Sequence, residues 1–161
     1  QREIPIEYED TAESLHDKLA ILGRDLLLET LPSIIEGTNE RTKQDEIKVT
    51  YAPTIKREDE RLDFSLSQRQ IYNKVRGLYS WPGAYCTLDG KILKIWKCRE
   101  TENVFPQLLN GAITNVYEDG FGVKVSNGEI VVTELQLEGK KKMLAKDFIN
   151  GYSNLKGKIL V

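Results

Sequence analysis

Histidine and cysteine, which build many catalytic and metal sites, are scarce in this chain of 161 residues, with one His and two Cys. His16 stands on a predicted helix in an acidic neighbourhood, and no Ser, Cys or carboxylate around it has the spacing of a catalytic triad. We interpret it as a surface or packing residue. Cys86 and Cys98 lack metal-like spacing, so we expect reduced thiols. The residues predict no metal site, no phosphate-binding glycine loop and no paired carboxylates.

Long apolar runs are also missing. No stretch approaches the roughly 20 residues that a bilayer-spanning helix needs, and the start has neither Met nor a basic leader with an apolar run. We expect a cytoplasmic chain, without a membrane partner, that does not begin at a natural start. With 40% apolar and 30% charged residues, the chain suits a packed globular domain, or a small domain with an appendage.

The net charge of −2 conceals a gradient along the chain. Residues 1–50 hold 6 basic and 12 acidic residues, whereas residues 51–161 hold 17 and 13. Most of that basic excess lies in residues 136–161, where six Lys face one Glu and one Asp. A polyanion would approach from this end of the chain. An ordinary solvated lysine face is the alternative interpretation.

The chain is organised around residues 71–97, where a helix, a rigid turn and a β-hairpin follow one another. Apolar residues recur at helical spacing from Ile71 to Leu78, and Ser65 with Gln68 makes a capping box. This pattern predicts a helix that begins near Ser65. The Trp-Pro-Gly run at 81–83 ends it, because proline cannot continue a helix and glycine permits a tight turn.

Short strands with regularly spaced turn signals follow this helix. Asp89-Gly90 is typical of a type I′ hairpin turn, and Glu118-Asp119-Gly120 and Asn127-Gly128 mark two more turns. The predicted strands are 84–88, 91–97, 112–117, 121–125 and 129–137, with 158–161 as a candidate sixth, and 143–150 is a predicted helix that ends at Gly151. This mainly β pattern with flanking helices fits an OB-like antiparallel barrel. A small sandwich or an SH3-like barrel would show the same pattern.

The first residues have a different character. Ile4-Pro5-Ile6 predicts a short edge strand. Asp10 with Glu13 predicts the cap of a helix that runs from about 11 to 31, with a break near Gly23. This helix is apolar over more than one face, so we expect it to pack on a partner domain that lies upstream.

Three segments follow from these patterns. Residues 1–37 contain the predicted strand and helix, and Pro32 and Gly37 are predicted to end this helical segment. Residues 38–62 are charged and poor in apolar residues, and they predict a linker over the surface in which 58–61 are solvated. The barrel domain is predicted to span 63–161.

Three runs carry a family resemblance. They are IYNKVRGLYSWPGAY at 71–85, GKILKIWK at 90–97 and LQLEGKKKMLAKDFINGYSNLKGKIL at 135–160. With the residues upstream, they resemble the C-terminal portion of the methionyl-tRNA formyltransferase family over essentially the whole chain. The Trp-Pro-Gly motif is shared with related formyltransferases, and the Leu-Gln-x-x-Gly-Lys-Lys run, in order with the linker, narrows the resemblance.

The resemblance implies the end of an α/β formyltransferase catalytic domain, then a linker and an OB-like barrel. The family transfers a formyl group from 10-formyltetrahydrofolate to the amino group of methionyl-initiator-tRNA, with an Asn, a His and an Asp of a folate-binding domain that lies upstream. None of these residues carries over, because Asp10-Thr11-Ala12 matches a helix cap and not the family's Asp-Thr-Gly segment. We therefore expect a fragment that is inactive alone, binds no cofactor, and works with a missing N-terminal catalytic domain.

The remaining role is to hold initiator methionyl-tRNA, whose phosphates Lys and Arg would bind. An alternative interpretation of Arg76 is an ion pair with Asp63 or Glu100. Trp81 and Trp96 would stack on bases or fill the barrel core, and we favour the core. The candidate tRNA-binding residues are Arg57, Arg76, Lys94, Lys97, Lys140, Lys141, Lys142 and Lys146.

Two other functions fit part of the pattern. One is the C-terminal part of another 10-formyltetrahydrofolate-dependent enzyme, such as a sugar-nucleotide formyltransferase, in which this region would not bind tRNA. The other is a stand-alone OB-like nucleic-acid-binding module, which leaves the apolar N-terminal helix unexplained. A tRNA-binding measurement separates the first of these from the leading hypothesis.

Overall fold

The computed structural model describes residues 1–152 and 154–161 and divides them into two compact units, 1–55 and 56–161. The first unit has a net charge of −6 and the second of +4. The three-segment division stays a prediction, although residues 56–62, which it assigns to the linker, lie with the second unit.

The first unit is built on helix α1 (Ala12–Ile35). Its cap is Thr11, whose Oγ1 accepts the N–H of Ser14 at 3.1 Å, while Ser14 Oγ accepts the N–H of Thr11 at 3.0 Å. The predicted cap at Asp10 and Glu13 was therefore wrong by one residue. Thr11 has the extended backbone that an N-cap requires, and its own hydroxyl satisfies a first-turn N–H.

Helix α1 continues through Gly23, where a break was predicted, and through Pro32, where an end was predicted. Proline removes one backbone hydrogen bond there without ending the helix. The helix ends at Ile35, and Gly37 just beyond it has a φ of +73°, which glycine adopts without strain. The N–H groups of Gly37 and Thr38 donate to carbonyls of the last turn.

No side chain of α1 is buried, and Leu28 and Ile35 are 63% and 77% exposed. The predicted strand Ile4–Ile6 is wrong, because residues 4–6 form no ladder with any described residue. Arg2 beside it instead makes a two-pronged contact with Glu29 on α1, at 2.6 and 3.2 Å. In residues 1–152 and 154–161, no helix combines the length and the apolar composition of a bilayer span.

A six-stranded antiparallel sheet forms the second unit. The strands are β1 (Ala84–Leu88), β2 (Lys91–Glu100), β3 (Ile113–Val116), β4 (Phe121–Val125), β5 (Gly128–Leu137) and β6 (Met143–Leu144). Their order is β1-β2-β5-β4-β3, and β6 pairs with β5. The five main predicted strands are confirmed, and β2 extends three residues further than predicted. Asp89 and Gly90 both have positive φ between β1 and β2, as the predicted turn requires.

The predicted sixth strand, 158–161, is not a strand but joins the two sheet edges. Thr87 of β1 exchanges two backbone hydrogen bonds with Val161, at 2.6 and 3.0 Å. Leu160 N–H donates to the carbonyl of Gly111 just before β3, at 2.8 Å. These contacts close the sheet and confirm a mainly β, barrel-like fold.

Three helices accompany the barrel, namely α2 (Arg57–Glu60), α3 (Gln68–Gly77) and α4 (Ala145–Gly151). The predicted start of α3 at Ser65 was wrong by two residues. Asp63 accepts the N–H of Ser65 in a turn, and Ser67 with Gln70 forms the capping box. The predicted helix over 143–150 begins only at Ala145, because its first two residues pair with β5 as β6.

Buried aliphatic and aromatic side chains fill the barrel, and α3 and α4 add to them. Those without measurable exposure include Ile71, Leu93, Ile95, Phe121, Ile130 and Leu135. Glu60, which was expected to be solvated, is 8% exposed, and Leu62 is 3% exposed. The N–H of Leu62 donates to the carbonyl of Tyr85 on β1 at 2.8 Å, which draws this end of the predicted linker into the barrel.

One carboxylate is fully buried in this barrel. Glu129 accepts hydrogen bonds from Tyr117 (2.8 Å), Thr101 (3.1 Å), Asn103 (3.1 Å) and the Thr114 hydroxyl. Four neutral donors thus replace the water that the carboxylate loses on burial.

Candidate nucleic-acid interface

The Trp-Pro-Gly turn at 81–83 forms one side of the candidate site. Gly83 has a φ of +89°, and a Cβ on it would lie 2.7 Å from the indole of Trp96. The glycine therefore lets the turn approach this ring closely. Trp96 is 9% exposed, but Trp81 is 79% exposed, so the prediction that Trp81 fills the core was wrong. The turn places the Trp81 side chain in solvent while its backbone covers Trp96.

A β-bulge in β2 brings consecutive side chains to the outer face. The register with β5 shifts between Ile95 and Lys97, which leaves Trp96 without a partner on β5. Ile95 and Cys98 both belong to the core although they are three residues apart. Trp96 and Lys97, between them, both lie outside the core cluster, so Trp96 is buried from the outside and not within the barrel as its alternation predicted.

Three of the predicted lysines converge on two aromatic rings at this bulge. Tyr79 and Trp96 meet edge to face, with ring centroids 6.1 Å apart. Lys142 Nζ lies 4.6 Å from the Tyr79 centroid and 5.3 Å from that of Trp96. Lys94 Nζ lies 5.3 Å from Trp96, and Lys97 Nζ lies 5.8 Å from Tyr79. These are cation–π distances, which favour the ammonium groups at this location.

A single carboxylate lies between two of these lysines. Glu134 Oε1 is 3.1 Å from Lys142 Nζ, and Glu134 Oε2 is 3.4 Å from Lys97 Nζ. Partial burial acts to lower the pKa of Lys142, but hydrogen bonds to the Tyr79 hydroxyl and to Glu134 outweigh it and raise that pKa. Lys142 is therefore charged at neutral pH. We name this set the lysine–aromatic cluster, which comprises Tyr79, Lys94, Trp96, Lys97, Glu134 and Lys142.

Arg57 lies next to the lysine–aromatic cluster, because it lines the same cavity as Lys94. The Arg57 guanidinium lies 3.8 Å from the ring centroid of Tyr85, and Lys94 Nζ donates to the carbonyl of Pro82 at 2.7 Å. Tyr85 and Lys94 are partners in the sheet, and Lys94 is in turn the partner of Gln136. A cavity of about 220 Å³ is lined by Arg57, Ile92, Lys94, Gln136, Leu137 and Glu138.

The other predicted residues are more scattered. Lys140 and Lys141 are exposed in the turn that leads to Lys142, and the carbonyl of Lys140 accepts from Gln136 at 3.0 Å. Lys146 lines a different cavity, of about 620 Å³, with Arg99, Tyr117, Glu118 and Asp119. Arg76 donates to Asn73 at 2.9 Å and lies 5.8 Å from the Tyr72 ring. The structure thus brings together Arg57, Lys94, Lys97 and Lys142.

Glu134, Tyr79 and Tyr85 were missed by reasoning from the sequence. Glu134 alternates with the core residues Leu135 and Leu137, and that alternation places its side chain on the outer face. Which lysine it meets depends on the register between β2 and β5, and the bulge shifts that register.

Among the His, Cys, Asp and Glu side chains of residues 1–152 and 154–161, no three are grouped as metal ligands would be. Cys86 and Cys98 are free and buried, and burial raises the pKa of each thiol to about 12. They stay protonated and unreactive at neutral pH. His16 is exposed beside Asp17, at 3.4 Å.

Solved structures with a similar fold include HypX from Aquifex aeolicus. One variant of HypX aligns with 98% of this chain and 31% of its own, with a TM-score of 0.70 and 18% identity. HypX in complex with tetrahydrofolic acid aligns with 83% of this chain and 26% of its own, with a TM-score of 0.59 and 18% identity. At this level of identity the similarity is one of fold.

Similarity in sequence is higher to methionyl-tRNA formyltransferases. The protein of that name from Staphylococcus aureus strain MW2 is 44% identical over 165 residues, a match that covers 100% of this chain and 52% of the relative. The protein from strain Newman matches to the same extent. The chain spans about half the length of these relatives.

The family model described as the formyl transferase C-terminal domain matches residues 54–153. That range contains the Trp-Pro-Gly turn, the bulge of β2 and the whole lysine–aromatic cluster. Over its whole length the chain is similar to the C-terminal portion of methionyl-tRNA formyltransferases. It therefore belongs to the family of formyl transferase C-terminal domains.

Proposed function

We propose that this chain is the tRNA-binding part of a methionyl-tRNA formyltransferase. The whole enzyme would transfer a formyl group from 10-formyltetrahydrofolate to the amino group of methionyl-initiator-tRNA. The transfer would take place on a catalytic domain outside this chain, so the chain alone is expected to be inactive and to bind no folate. The observation that carries this proposal is the convergence of Lys94, Lys97 and Lys142, with Arg57, on one outer face of the barrel.

Phosphate binding is the chemistry that this face supports. Lysine and arginine side chains neutralise phosphates and release counterions, which positions a nucleic acid without reading its sequence. The rings of Tyr79 and Trp96 attract the ammonium groups of the lysines, which favours their presence on this face of the barrel while their stems stay flexible. The second unit has a net charge of +4 and would attract the polyanion, whereas the first unit, at −6, would not.

Trp81 adds a second kind of contact to the proposed interface. Its indole is 79% exposed, and it precedes Pro82, whose carbonyl holds Lys94 at 2.7 Å. An exposed indole, next in sequence to the residue that binds an ammonium group, suits an unpaired base and its phosphate. We assign Trp81 the base and Lys94 the phosphate.

Titration of the 161-residue chain with initiator tRNA between 50 and 200 mM salt tests the proposal. The test variant carries Lys94→Ala, Lys97→Ala and Lys142→Ala. We expect the slope of log affinity against log salt to fall by about 1 to 3, because each phosphate contact contributes roughly one unit. The control variant carries Lys43→Ala, Lys48→Ala and Lys56→Ala, three exposed lysines whose nearest carboxylates lie 3.6, 3.7 and 3.8 Å away.

The control variant removes the same charge and should keep more of the slope than the cluster variant. Equal slopes for the two variants would remove the cluster from the interface. Absence of tRNA binding by the wild-type chain would contradict the proposed function and favour a formyltransferase whose barrel serves another purpose. Formyl transfer by this chain alone would contradict its assignment as the binding part.

A further inference from the structure

Glu134 is an unusual residue for a surface that binds polyanions. It is the one carboxylate of the lysine–aromatic cluster, its side chain is 17% exposed, and its two oxygens face two different lysines. Lys97 lies on β2, and Lys142 directly precedes β6. A carboxylate that bridges two ammonium groups from separate elements resembles the bridging arrangement of a phosphate.

We propose that Glu134 occupies, in the free protein, the place that a nucleic-acid phosphate takes in the complex, and so restrains binding by Lys97 and Lys142. This inference rests on the proposed function, because it names the residue that tunes the same interface. A polyanion must compete with an internal anion for these lysines. The closely spaced phosphates of a folded nucleic acid should displace Glu134 from these lysines, whereas a molecule with widely spaced negative charges should not.

The lysines can change partners. The side chains of Lys97 and Lys142 are 59% and 36% exposed, and each ammonium group is carried on a flexible stem. Lys94 differs, since its ammonium group donates to the Pro82 carbonyl at 2.7 Å. Lys97 and Lys142 would therefore lose their ion pairs with Glu134 when they bind phosphates. Lys94 has no such ion pair in the cluster to lose.

Glu134 itself is held in place by the sheet. Its backbone pairs with Lys97 on β2 and with Leu144 on β6, so the carboxylate stays between the lysines when they move. Among the described residues, neither Glu134 Oε2 nor the buried Nε1 of Trp96 has a hydrogen-bond partner. Glu134 Oε2 is held only by the ion pair with Lys97 at 3.4 Å, and such a contact costs less to break than one that also has a short hydrogen bond.

The variant Glu134→Gln tests this inference, because it keeps the shape of the side chain and removes its charge. We expect about fivefold tighter binding of initiator tRNA at 100 mM salt and a salt slope steeper by roughly one unit. Glu102→Gln is the matched control, since it changes the net charge equally at an exposed residue beyond the end of β2. It should leave the affinity within about twofold.

Two further variants exclude a purely structural role. Glu134→Asp keeps the charge but withdraws it by one methylene group, so its gain in affinity should be smaller than that of Glu134→Gln. When Lys97→Ala and Lys142→Ala are already present, Glu134→Gln should no longer tighten binding. If Glu134 instead positions the lysines for tRNA, Glu134→Gln weakens binding and the inference is wrong.

A second probe separates this inference from the proposed function. Each variant is also titrated with a single-stranded oligouridylate of about 20 nucleotides. If the wild-type chain does not bind tRNA but Glu134→Gln tightens oligouridylate binding, the proposed function fails and the inference about Glu134 stands. If neither probe distinguishes Glu134→Gln from the wild type, or neither probe binds, the inference is overturned.

Discussion

Glu129 and Glu134 lie on the same strand, β5, in opposite environments. Glu129 is fully buried and accepts from three hydroxyl groups and one amide. Glu134 lies at the outer face and contacts two lysines. The same side chain thus serves the fold at one end of the strand and the candidate interface at the other.

The difference lies in the partners. The donors around Glu129 are neutral and the carboxylate itself is fully buried, so another anion would gain no ion pair there. The ammonium groups around Glu134 sit on long stems that can follow another anion. Neutral donors therefore make a permanent contact, and lysines make an exchangeable one. Substitutions should separate the two regions by affecting stability at one and binding at the other.

Glu129→Ala should have the largest effect on stability. The change removes the carboxylate that four donors share, although the Asn103 amide keeps the Tyr117 hydroxyl as an acceptor at 2.9 Å. We expect the free energy of unfolding to fall by about 3 kcal/mol. Urea unfolding of the 161-residue chain measures this loss. The affinity of the folded protein for tRNA should change little, because none of the side chains that donate to the Glu129 carboxylate belongs to the lysine–aromatic cluster.

Glu102→Ala is the control for that measurement, since it removes an exposed carboxylate. It should change the free energy of unfolding by less than about 0.5 kcal/mol. A loss below 1 kcal/mol for Glu129→Ala would mean that the buried network contributes no more than a surface residue, and the contrast between the two glutamates would disappear.

Gly83→Ala should affect both stability and the interface. Its Cβ would lie 2.7 and 2.8 Å from the Trp96 ring, and the φ of +89° disfavours alanine. We expect the free energy of unfolding to fall by about 2 to 3 kcal/mol, because backbone strain and overpacking combine. Trp96 fluorescence, measured with Trp81→Phe present, should report greater exposure of the displaced indole.

Gly90→Ala separates those two causes. Gly90 has a similar φ of +78°, but an added Cβ would meet nothing within 4 Å. It should cost about 1 kcal/mol and leave Trp96 fluorescence and tRNA binding unchanged. Equal effects of the two substitutions would show that contact with Trp96 does not matter.

Sequence reasoning located the β-strands well and the lysine–aromatic cluster only in part. Turn signals such as Asp89-Gly90 are local, and the hairpin of β1 and β2 followed from them. Lys94, Lys97 and Lys142 were selected only as basic residues that could bind phosphates. Their convergence could not be predicted, because it depends on a bulge that no local pattern marked.

Other errors came from interactions between distant residues. Strand assignment at 158–161 failed because this segment bonds to two different edges and joins neither in a full ladder. The core assignment of Trp81 failed because the alternation of a strand does not extend into the turn before it. Helix caps were wrong by one or two residues, since two neighbouring polar residues competed for each cap.

Asp10 is a third carboxylate, and its hydrogen-bond partners are intermediate in kind between those of Glu129 and those of Glu134 on β5. It accepts from Lys18 Nζ at 2.6 Å, from the N–H of Glu7 at 2.9 Å and from Ser14 Oγ at 2.8 Å, so it combines one ammonium group with two neutral donors. The hydrogen bond from Lys18, then those from Glu7 and Ser14, lower the pKa of Asp10 to about 2.

This pKa fixes the pH at which Asp10 stops stabilising the start of α1. The folded pKa of about 2 is lower than the ordinary value of 3.8, so the stabilisation is complete above about pH 4 and is lost as the pH falls toward 2. Carboxyl chemical shifts should place the midpoint for Asp10 near pH 2, and Lys18→Ala should move it upward without reaching 3.8, because the two neutral donors remain. A midpoint that reaches 3.8 in Lys18→Ala would mean that the ammonium group alone holds Asp10, which would make it a second exchangeable carboxylate like Glu134.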